Sequence, residues 1–249
     1  MFEESVEIPG PDGPIPGFVA APDGGGAVPA VILYMDAPGI REELRDFARR
    51  VARAGYLCLL PDMFYRLGKI RFDLSRRDDR MSAVIQAALA HLDHERVGRD
   101  SMAFLDFLQA HPRAADGPRG LIGYCMSGQH VLAAAGRHPE QVGAVASLHG
   151  VGLVTDAEDS PHRLIDRISA ELYFGFASDD PLVPDDVIPT LRSDLERHGV
   201  AHRIDVFPDT KHGFSFPQRP VYAEAAAEAS WSAFLEVFGR RLSGEGGKT

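Results

Sequence analysis

One stretch of the sequence could hold a reactive side chain on a sharp turn. The apolar residues 120–122 lead directly into Gly123-Tyr124-Cys125-Met126-Ser127-Gly128. The spacing is close to the nucleophile elbow G-x-S-x-G, in which a strand, a tight turn and a helix expose one nucleophile. Here the central residue is Cys125, and a helix N-terminus behind it would favour the thiolate over the thiol. The pattern predicts a cysteine nucleophile, and the alternative is a buried cysteine that merely follows a strand.

Two later segments supply an acid and a base in the order that a hydrolase triad requires. An apolar run at 172–177 is followed by Asp179 and Asp180, and a second run at 202–207 is followed by His212. The order of nucleophile, acid and histidine is that of α/β-hydrolases, with each residue after its own strand. Cys125, Asp180 and His212 are therefore the candidate catalytic residues. Asp179 competes with Asp180, and one of the two is expected to serve as a turn or cap residue.

The backbone around these residues could also stabilise an oxyanion. The N–H of Met126 follows the nucleophile directly, and a second donor is expected in the loop after the strand at 30–35. Pro38 has no N–H, so the sequence assigns this donor to Ala37. Asp36 precedes it and could either contact the thiol or cap the loop. His149, which follows the strand predicted at 142–148, is expected to line the pocket, with a role as general base as the alternative.

The elements that must position these residues alternate between short apolar runs and helical segments. Such alternation predicts an α/β fold with a mostly parallel sheet and helices on both faces. An antiparallel hairpin is predicted at the start, and residues 67–96 are expected to form an excursion near the rim of the active site. We expect one domain over 1–242 and a disordered tail at 243–249. The predicted strands comprise residues 30–35, 56–60, 120–124, 142–148, 172–177 and 202–207.

Composition excludes several classes of function. The chain has 249 residues and a formal net charge of −10, without a basic run, which argues against nucleic acid or an anionic membrane surface as a partner. No apolar stretch reaches the ~20 residues of a transmembrane helix, and the start lacks the pattern of a signal peptide. Of the two cysteines, Cys58 lies in an apolar run and is expected to be a buried strand residue. We expect a cytoplasmic monomer.

The motifs together resemble the dienelactone hydrolase family of α/β-hydrolases, which use a Cys-His-Asp triad. The resemblance covers about Val6 to Phe238. It rests on the elbow at 123–128, on 180–184 (Asp-Pro-Leu-Val-Pro), on 212–214 (His-Gly-Phe), and on Gly55-Tyr56 leading to Pro61-Asp62. It favours Asp180 as the acid.

The same resemblance implies how substrate is recognised. The family typically has a glutamate where this chain has Asp36, and that acid restrains the resting thiol. Members that act on dienelactone hold the substrate carboxylate with arginines, one of them four residues after the catalytic histidine, where this chain has Phe216. Arg219 lies nearby, and Arg76, Arg77 or Arg80 could reach in from the excursion. The residues expected to contact substrate are Tyr124, His149, Arg80, Phe216 and Arg219.

The expected reaction is hydrolysis of a small ester or lactone through a thioester on Cys125, without a metal or organic cofactor. Two alternatives stay open. One is a general carboxylesterase or thioesterase that does not require a substrate carboxylate. The other is a ligand-binding or redox-sensing module that uses Cys125 without turnover.

Overall fold

The computed structural model describes residues 1–242, and their Cα positions separate into two compact units, residues 1–115 and the residues from 116 onward. The predicted tail at 243–249 lies outside the described residues. The prediction of one domain over residues 1–242 stays a prediction.

Four strands and three helices make up the first unit. Its strands pair in the order β1-β2-β4-β3. The hairpin β1–β2 is antiparallel, β2 pairs antiparallel with β4, and β4 pairs parallel with β3. The elements are β1 (Phe2–Gly10), β2 (Gly13–Ala21), β3 (Ala30–Tyr34), α1 (Glu42–Arg53), β4 (Leu57–Pro61), α2 (Asp79–Leu89) and α3 (His94–Ala110).

The second unit is a run of parallel strands with intervening helices. Its strands pair in sequence order, β5-β6-β7-β8, and every pair is parallel. Strand β6 is buried along its whole length, as expected for a parallel strand that is covered on both faces. The elements are β5 (Arg119–Tyr124), α4 (Ser127–Arg137), β6 (Val142–Leu148), β7 (Glu171–Asp179), α5 (Val187–Arg197), β8 (His202–Lys211) and α6 (Glu224–Leu242).

The predicted α/β class with a mostly parallel arrangement is confirmed. All six predicted core strands and the opening hairpin are present. Strands β7 and β8 run further than predicted, to Asp179 and Lys211, because main-chain pairing continues into polar residues that an apolar pattern does not mark. The cysteine of β4, Cys58, is fully buried, and this burial raises the pKa of its thiol.

The segment 67–96, predicted as an excursion, contains a short 3₁₀ turn, Leu74–Arg76, and helix α2. Another 3₁₀ turn, Tyr65–Leu67, leads into it and is anchored to α3 by a buried ion pair. Asp100 is fully buried and receives two hydrogen bonds from Arg66, at 2.7 and 2.8 Å, and one from the Tyr65 hydroxyl at 3.0 Å. This anchor fixes where the chain goes after β4.

We predict that Asp100→Ala lowers the free energy of unfolding by about 3 kcal/mol, because it leaves the Arg66 guanidinium without its buried partner. Asp106→Ala, on the exposed side of the same helix, should change stability by less than about 0.5 kcal/mol. Urea unfolding of both variants measures the difference. Equal losses in the two variants would contradict the assignment of this anchor.

Candidate active site

The end of β5 carries the predicted elbow. Cys125 has a φ of 54°, in the left-handed region that non-glycine residues rarely adopt, and strain of this kind clusters at functional sites. Its amide donates to the Leu148 carbonyl at 3.1 Å, and its own carbonyl accepts from Gly128 and Val151. Helix α4 begins two residues later, so its N-terminus lies beside the thiol.

Glycines let α4 approach the strands closely. A Cβ on Gly123 would lie 2.4 Å from the Ser127 carbonyl oxygen, and one on Gly128 would lie 2.5 Å from the Gly150 Cα. Ser127, which replaces a glycine of the common motif, is fully buried at the start of the helix. The contact between Gly128 and Gly150 was not predicted, although the glycine directly after His149 was a visible signal.

Strand register brings the acid and the histidine together. Ala177 pairs with Phe207, and Asp179 pairs with Lys211. Between these pairs β8 advances by four residues and β7 by two, so β8 contains a bulge. The bulge contains Asp209, with a φ of 55°. Because Asp179 then pairs with Lys211, the next residues, Asp180 and His212, leave the sheet side by side.

Cys125, His212 and Asp180 form one hydrogen-bonded row. His212 Nδ1 lies 2.8 Å from Asp180 Oδ2, and His212 Nε2 lies 3.1 Å from Cys125 Sγ. The Asp180 side chain is 1% exposed and that of His212 is 14% exposed. Asp179, the competing acid, points to solvent with 71% exposure and lies 3.7 Å from Lys211. The geometry therefore joins Asp180, and not Asp179, to the imidazole.

This row sets the charge of the imidazole. Burial lowers the pKa of His212, but the hydrogen bonds to Asp180 and Cys125 outweigh that effect and raise the pKa to about 9. The imidazole therefore carries a proton at neutral pH when both partners are in place. An imidazolium beside Sγ is the arrangement that favours a thiolate.

An aromatic cluster packs against His212. His149 is fully buried, and its ring meets those of His212 and Phe214 edge-on at 5.1 and 5.5 Å between centroids. Tyr124 and Phe216 lie 5.7 and 5.6 Å from the same ring, and both are buried. Three of the predicted substrate-contacting residues thus form the packing behind the histidine.

His149 itself is held neutral. Burial, then the charges of His212 and Arg219, lower its pKa well below the ordinary value of 6.5. Like Cys125, it has a positive φ, of 38°, and its amide donates to the Gly175 carbonyl at 2.6 Å. A neutral ring in contact with His212 does not compete for the proton that the row holds.

Phe216 stands where dienelactone-cleaving relatives have an arginine, but the Arg219 side chain lies next to it. The amide of Arg219 donates to the Phe216 carbonyl at 3.0 Å, so the two residues lie one tight turn apart. The guanidinium carbon sits 4.4 Å from the centre of the Phe216 ring. A Cβ on Gly213 would lie 2.5 Å from Arg219 Nη1, which places the guanidinium against the residue that follows His212.

Besides Asp36, three predicted residues remain: the two proposed oxyanion donors, Met126 and Ala37, and the predicted substrate contact Arg80. Met126 is the N-cap of α4, where first-turn N–H groups have no acceptor within the helix. Ala37 lies in the turn after β3 that is closed by the hydrogen bond from Gly39 N–H to the Asp36 carbonyl at 2.8 Å. Arg80 is exposed in the first turn of α2.

Asp36 has a partner that sequence reasoning missed. Its fully buried carboxylate accepts two hydrogen bonds from Arg41, at 2.5 and 3.2 Å, and Arg41 also donates to Glu43 at 2.6 Å. The arginine compensates the buried negative charge, which offsets the cost of burying it. An arginine five residues after the predicted acid was the available signal.

The comparisons with known proteins identify the family of the chain. The model of the dienelactone hydrolase family matches residues 15–242. The chain belongs to the dienelactone hydrolase family. Dienelactone hydrolase-like hydrolases cleave esters or lactones, and that is the enzyme class of this chain.

Relatives and solved structures cover nearly the whole chain. A Salmonella typhi protein named as a carboxymethylenebutenolidase by assignment is 29% identical over 240 residues, which span 94% of this chain and 85% of the relative. A dienelactone hydrolase-like promiscuous phosphotriesterase from metagenomic libraries superimposes with a TM-score of 0.80 at 24% identity, covering 97% of this chain and 98% of that one. The dienelactone hydrolase of Anabaena variabilis superimposes with a TM-score of 0.66 at 19% identity, covering 97% and 98%. Both structures share the fold.

Within residues 1–242 there is no group of three or more His, Cys, Asp or Glu side chains placed to hold a metal ion. The same part of the chain contains no helix that is long and apolar enough to span a bilayer.

We predict a pH dependence of stability that depends on His212. A folded pKa of about 9, above the ordinary 6.5, means that the imidazolium stabilises the fold fully below pH 6.5 and loses this effect as pH rises through 9. His212→Gln keeps a hydrogen-bond donor but removes the titration, so wild type should exceed it by about 3 kcal/mol more at pH 6 than at pH 10.

Urea unfolding of both proteins across this range measures the effect. In a Cys125→Ala background the loss should move to lower pH, because one of the two contacts that raise the pKa is gone. A difference between wild type and variant that does not change with pH would contradict the prediction.

Proposed function

We propose that the chain hydrolyses small esters or lactones through Cys125 as nucleophile, with His212 as base and Asp180 as its orienting acid. The observation that carries the proposal is the row of two hydrogen bonds, 3.1 Å from Cys125 Sγ to His212 and 2.8 Å from His212 to Asp180. A nucleophile in contact with a base that a third group orients is the general signature of covalent catalysis.

The reaction follows from where the proton lies. His212 accepts the proton of Cys125, and the raised pKa of its imidazole, about 9, favours this transfer. The Cys125 thiolate attacks the substrate carbonyl, and the negative charge moves to the carbonyl oxygen. We propose that the N–H groups of Met126 and Ala37 bind this oxyanion.

Collapse of the tetrahedral intermediate expels the alkoxide, which takes the proton from His212 and leaves an acyl thioester on Cys125. Neutral His212 then removes a proton from water as the water attacks the thioester carbonyl. Collapse of this second tetrahedral intermediate breaks the C–S bond and releases the Cys125 thiolate, which takes back the proton from His212. The acid product loses its proton to solvent, so the products are a carboxylate and an alcohol, or a hydroxy carboxylate when the substrate is a lactone. The buried Asp180 carboxylate stabilises the imidazolium in both half-reactions.

The substrate class is a small molecule, and a carboxylate on it would find a cation at Arg219. This guanidinium lies over the Phe216 ring and against Gly213, the residue after the proposed base. Family members that act on dienelactone use an arginine four residues after the histidine, and in this chain the nearby arginine, Arg219, stands three residues further on. A general carboxylesterase or thioesterase would not need this cation.

Asp36 differs from the glutamate that the family uses to restrain the thiol. Its bond to Arg41 keeps its charge compensated inside the first unit. We propose that Arg41, and not the thiol alone, sets whether this carboxylate is available to move. A cytoplasmic location stays a prediction, because a reducing compartment keeps the Cys125 thiol from being oxidised. The monomeric state also stays a prediction.

We expect Cys125→Ala to lower kcat/KM for 4-nitrophenyl acetate by at least about 10³-fold, because the residues of such a row act as a unit. Cys58→Ala removes the other cysteine, which is buried in β4, and should retain turnover. Acid quenching of wild type during turnover, followed by intact mass measurement, should show one acetyl group, located on Cys125 by peptide mapping.

Full activity in Cys125→Ala would overturn the proposal. An adduct on Cys125 that forms but is never hydrolysed would favour the binding or redox-sensing alternative instead.

We expect Arg219→Gln to lower kcat/KM for the mono-4-nitrophenyl ester of succinate about tenfold more than that for 4-nitrophenyl butyrate, because only the first carries a carboxylate. Arg192→Gln removes an exposed cation from α5 and should affect both esters alike. Equal losses for the two esters in Arg219→Gln would indicate an esterase that does not recognise a carboxylate.

A further inference from the structure

The first unit contains a cavity of about 460 Å³. It lies among the β1–β2 hairpin, the end of β4 and the segment that follows β4. This volume is within the range of small-molecule sites in proteins. Cys125, His212 and Asp180 do not line it, so a ligand bound in this cavity would not contact the proposed catalytic residues.

The floor of the cavity is apolar. Phe18, Ile40 and Leu60 line it and are 7%, 5% and 1% exposed, so their side chains are already held by packing. Val6 and Pro16 extend the same surface along the hairpin. A preformed apolar floor of this size can accept one aromatic ring without rearrangement of the core.

One ion pair at the cavity is already complete. Asp62 is 3% exposed, and its two oxygens are both used. Oδ1 accepts the Phe64 amide at 3.2 Å, and Oδ2 accepts Arg71 Nη1 at 2.8 Å. The carboxylate therefore cancels the charge of Arg71 and does not repel an anion strongly.

Two further cations line the cavity with weaker compensation. Arg45 extends over the Phe18 ring, with its guanidinium carbon 5.4 Å from the ring centre. Its Nε is buried and has no hydrogen-bond acceptor within residues 1–242, and its Nη1 lies 3.5 Å from the exposed Glu42. Lys69 stands at the exposed edge, and Glu7 is the other acid in the lining.

The lining thus carries three cations and two acids, a balance of one positive charge on a chain whose net charge is −10. We propose that this cavity is a second binding site, for a small aromatic monocarboxylate. The ring would lie on Phe18, Ile40 and Leu60, and the carboxylate would accept hydrogen bonds from Arg45 and Lys69. An apolar floor with a single excess positive charge fits one ring and one negative charge better than a compact polyanion such as phosphate.

The ligand class is that of an acid released from an aromatic ester. Binding itself does not rest on the proposed function, because no residue of the Cys125 row takes part. A failure of the binding experiment below would therefore leave the proposed reaction intact, and a failure of the proposed reaction would leave the cavity intact.

The test is titration of the full chain with phenylacetate, followed by amide chemical-shift mapping. We expect a Kd in the millimolar range with the largest shifts at Phe18, Ile40 and Leu60. The double variant Arg45→Gln/Lys69→Gln keeps most of both aliphatic stems and should weaken binding at least about fivefold. The control Arg53→Gln/Arg192→Gln removes two exposed cations elsewhere and should bind as wild type does.

Two further probes separate the contributions. Phenylacetamide has the same shape without the charge and should bind at least about fivefold more weakly. Inorganic phosphate has the charge without the ring and should produce no comparable shifts. Unchanged binding by the double variant, equal binding of the amide, equal binding of phosphate, or shifts confined to residues around Cys125 would each overturn the proposal.

Discussion

The positions of the reactive groups depend on the register between parallel strands. Tyr124 pairs with Leu148 at the ends of β5 and β6, and Asp179 pairs with Lys211 at the ends of β7 and β8. The residue that follows each strand therefore leaves the sheet at the carboxyl end of the parallel strands. This is why Cys125, Asp180 and His212 can form hydrogen bonds although as many as 87 positions separate them along the chain. A slip by one residue in either pair would break the row.

Electrostatics adds a second requirement, that the buried charges of both units have compensating partners. His212 is cationic because Asp180 and Cys125 flank it, and His149 is neutral because it is buried next to that cation. In the first unit, Asp36 is compensated by Arg41, and Asp100 by Arg66. Removing Asp36 or Asp100 would leave Arg41 with Glu43 and Arg66 with the more exposed Asp12 as the remaining ion-pair partner. The effect on stability would then exceed that of losing one hydrogen bond.

Much of the fold could be predicted from the sequence, because buried parallel strands are short apolar runs and the helices between them have a distinct period. The elbow at Cys125 could also be predicted, because such a turn needs small residues at a fixed spacing from the nucleophile. Strand and turn patterns alone did not separate Asp179 from Asp180, and only the family resemblance favoured Asp180. The choice depends on a bulge in β8 whose extra residues, around Asp209, follow no apolar pattern. Arg219 and Arg41 were missed or left open because a guanidinium reaches across a turn, and sequence spacing does not report that reach.

The left-handed backbone at Cys125 has a consequence for how this chain can change over generations. A φ of 54° is one that glycine adopts freely and a residue with a Cβ adopts at a cost. Selection for folding alone would therefore drive this position toward glycine, and would reward the loss of the thiol. A side chain at this position therefore costs stability, as expected if Cys125 has the proposed role in chemistry. Descendants released from their substrate should lose this cysteine before they lose the sheet that presents it.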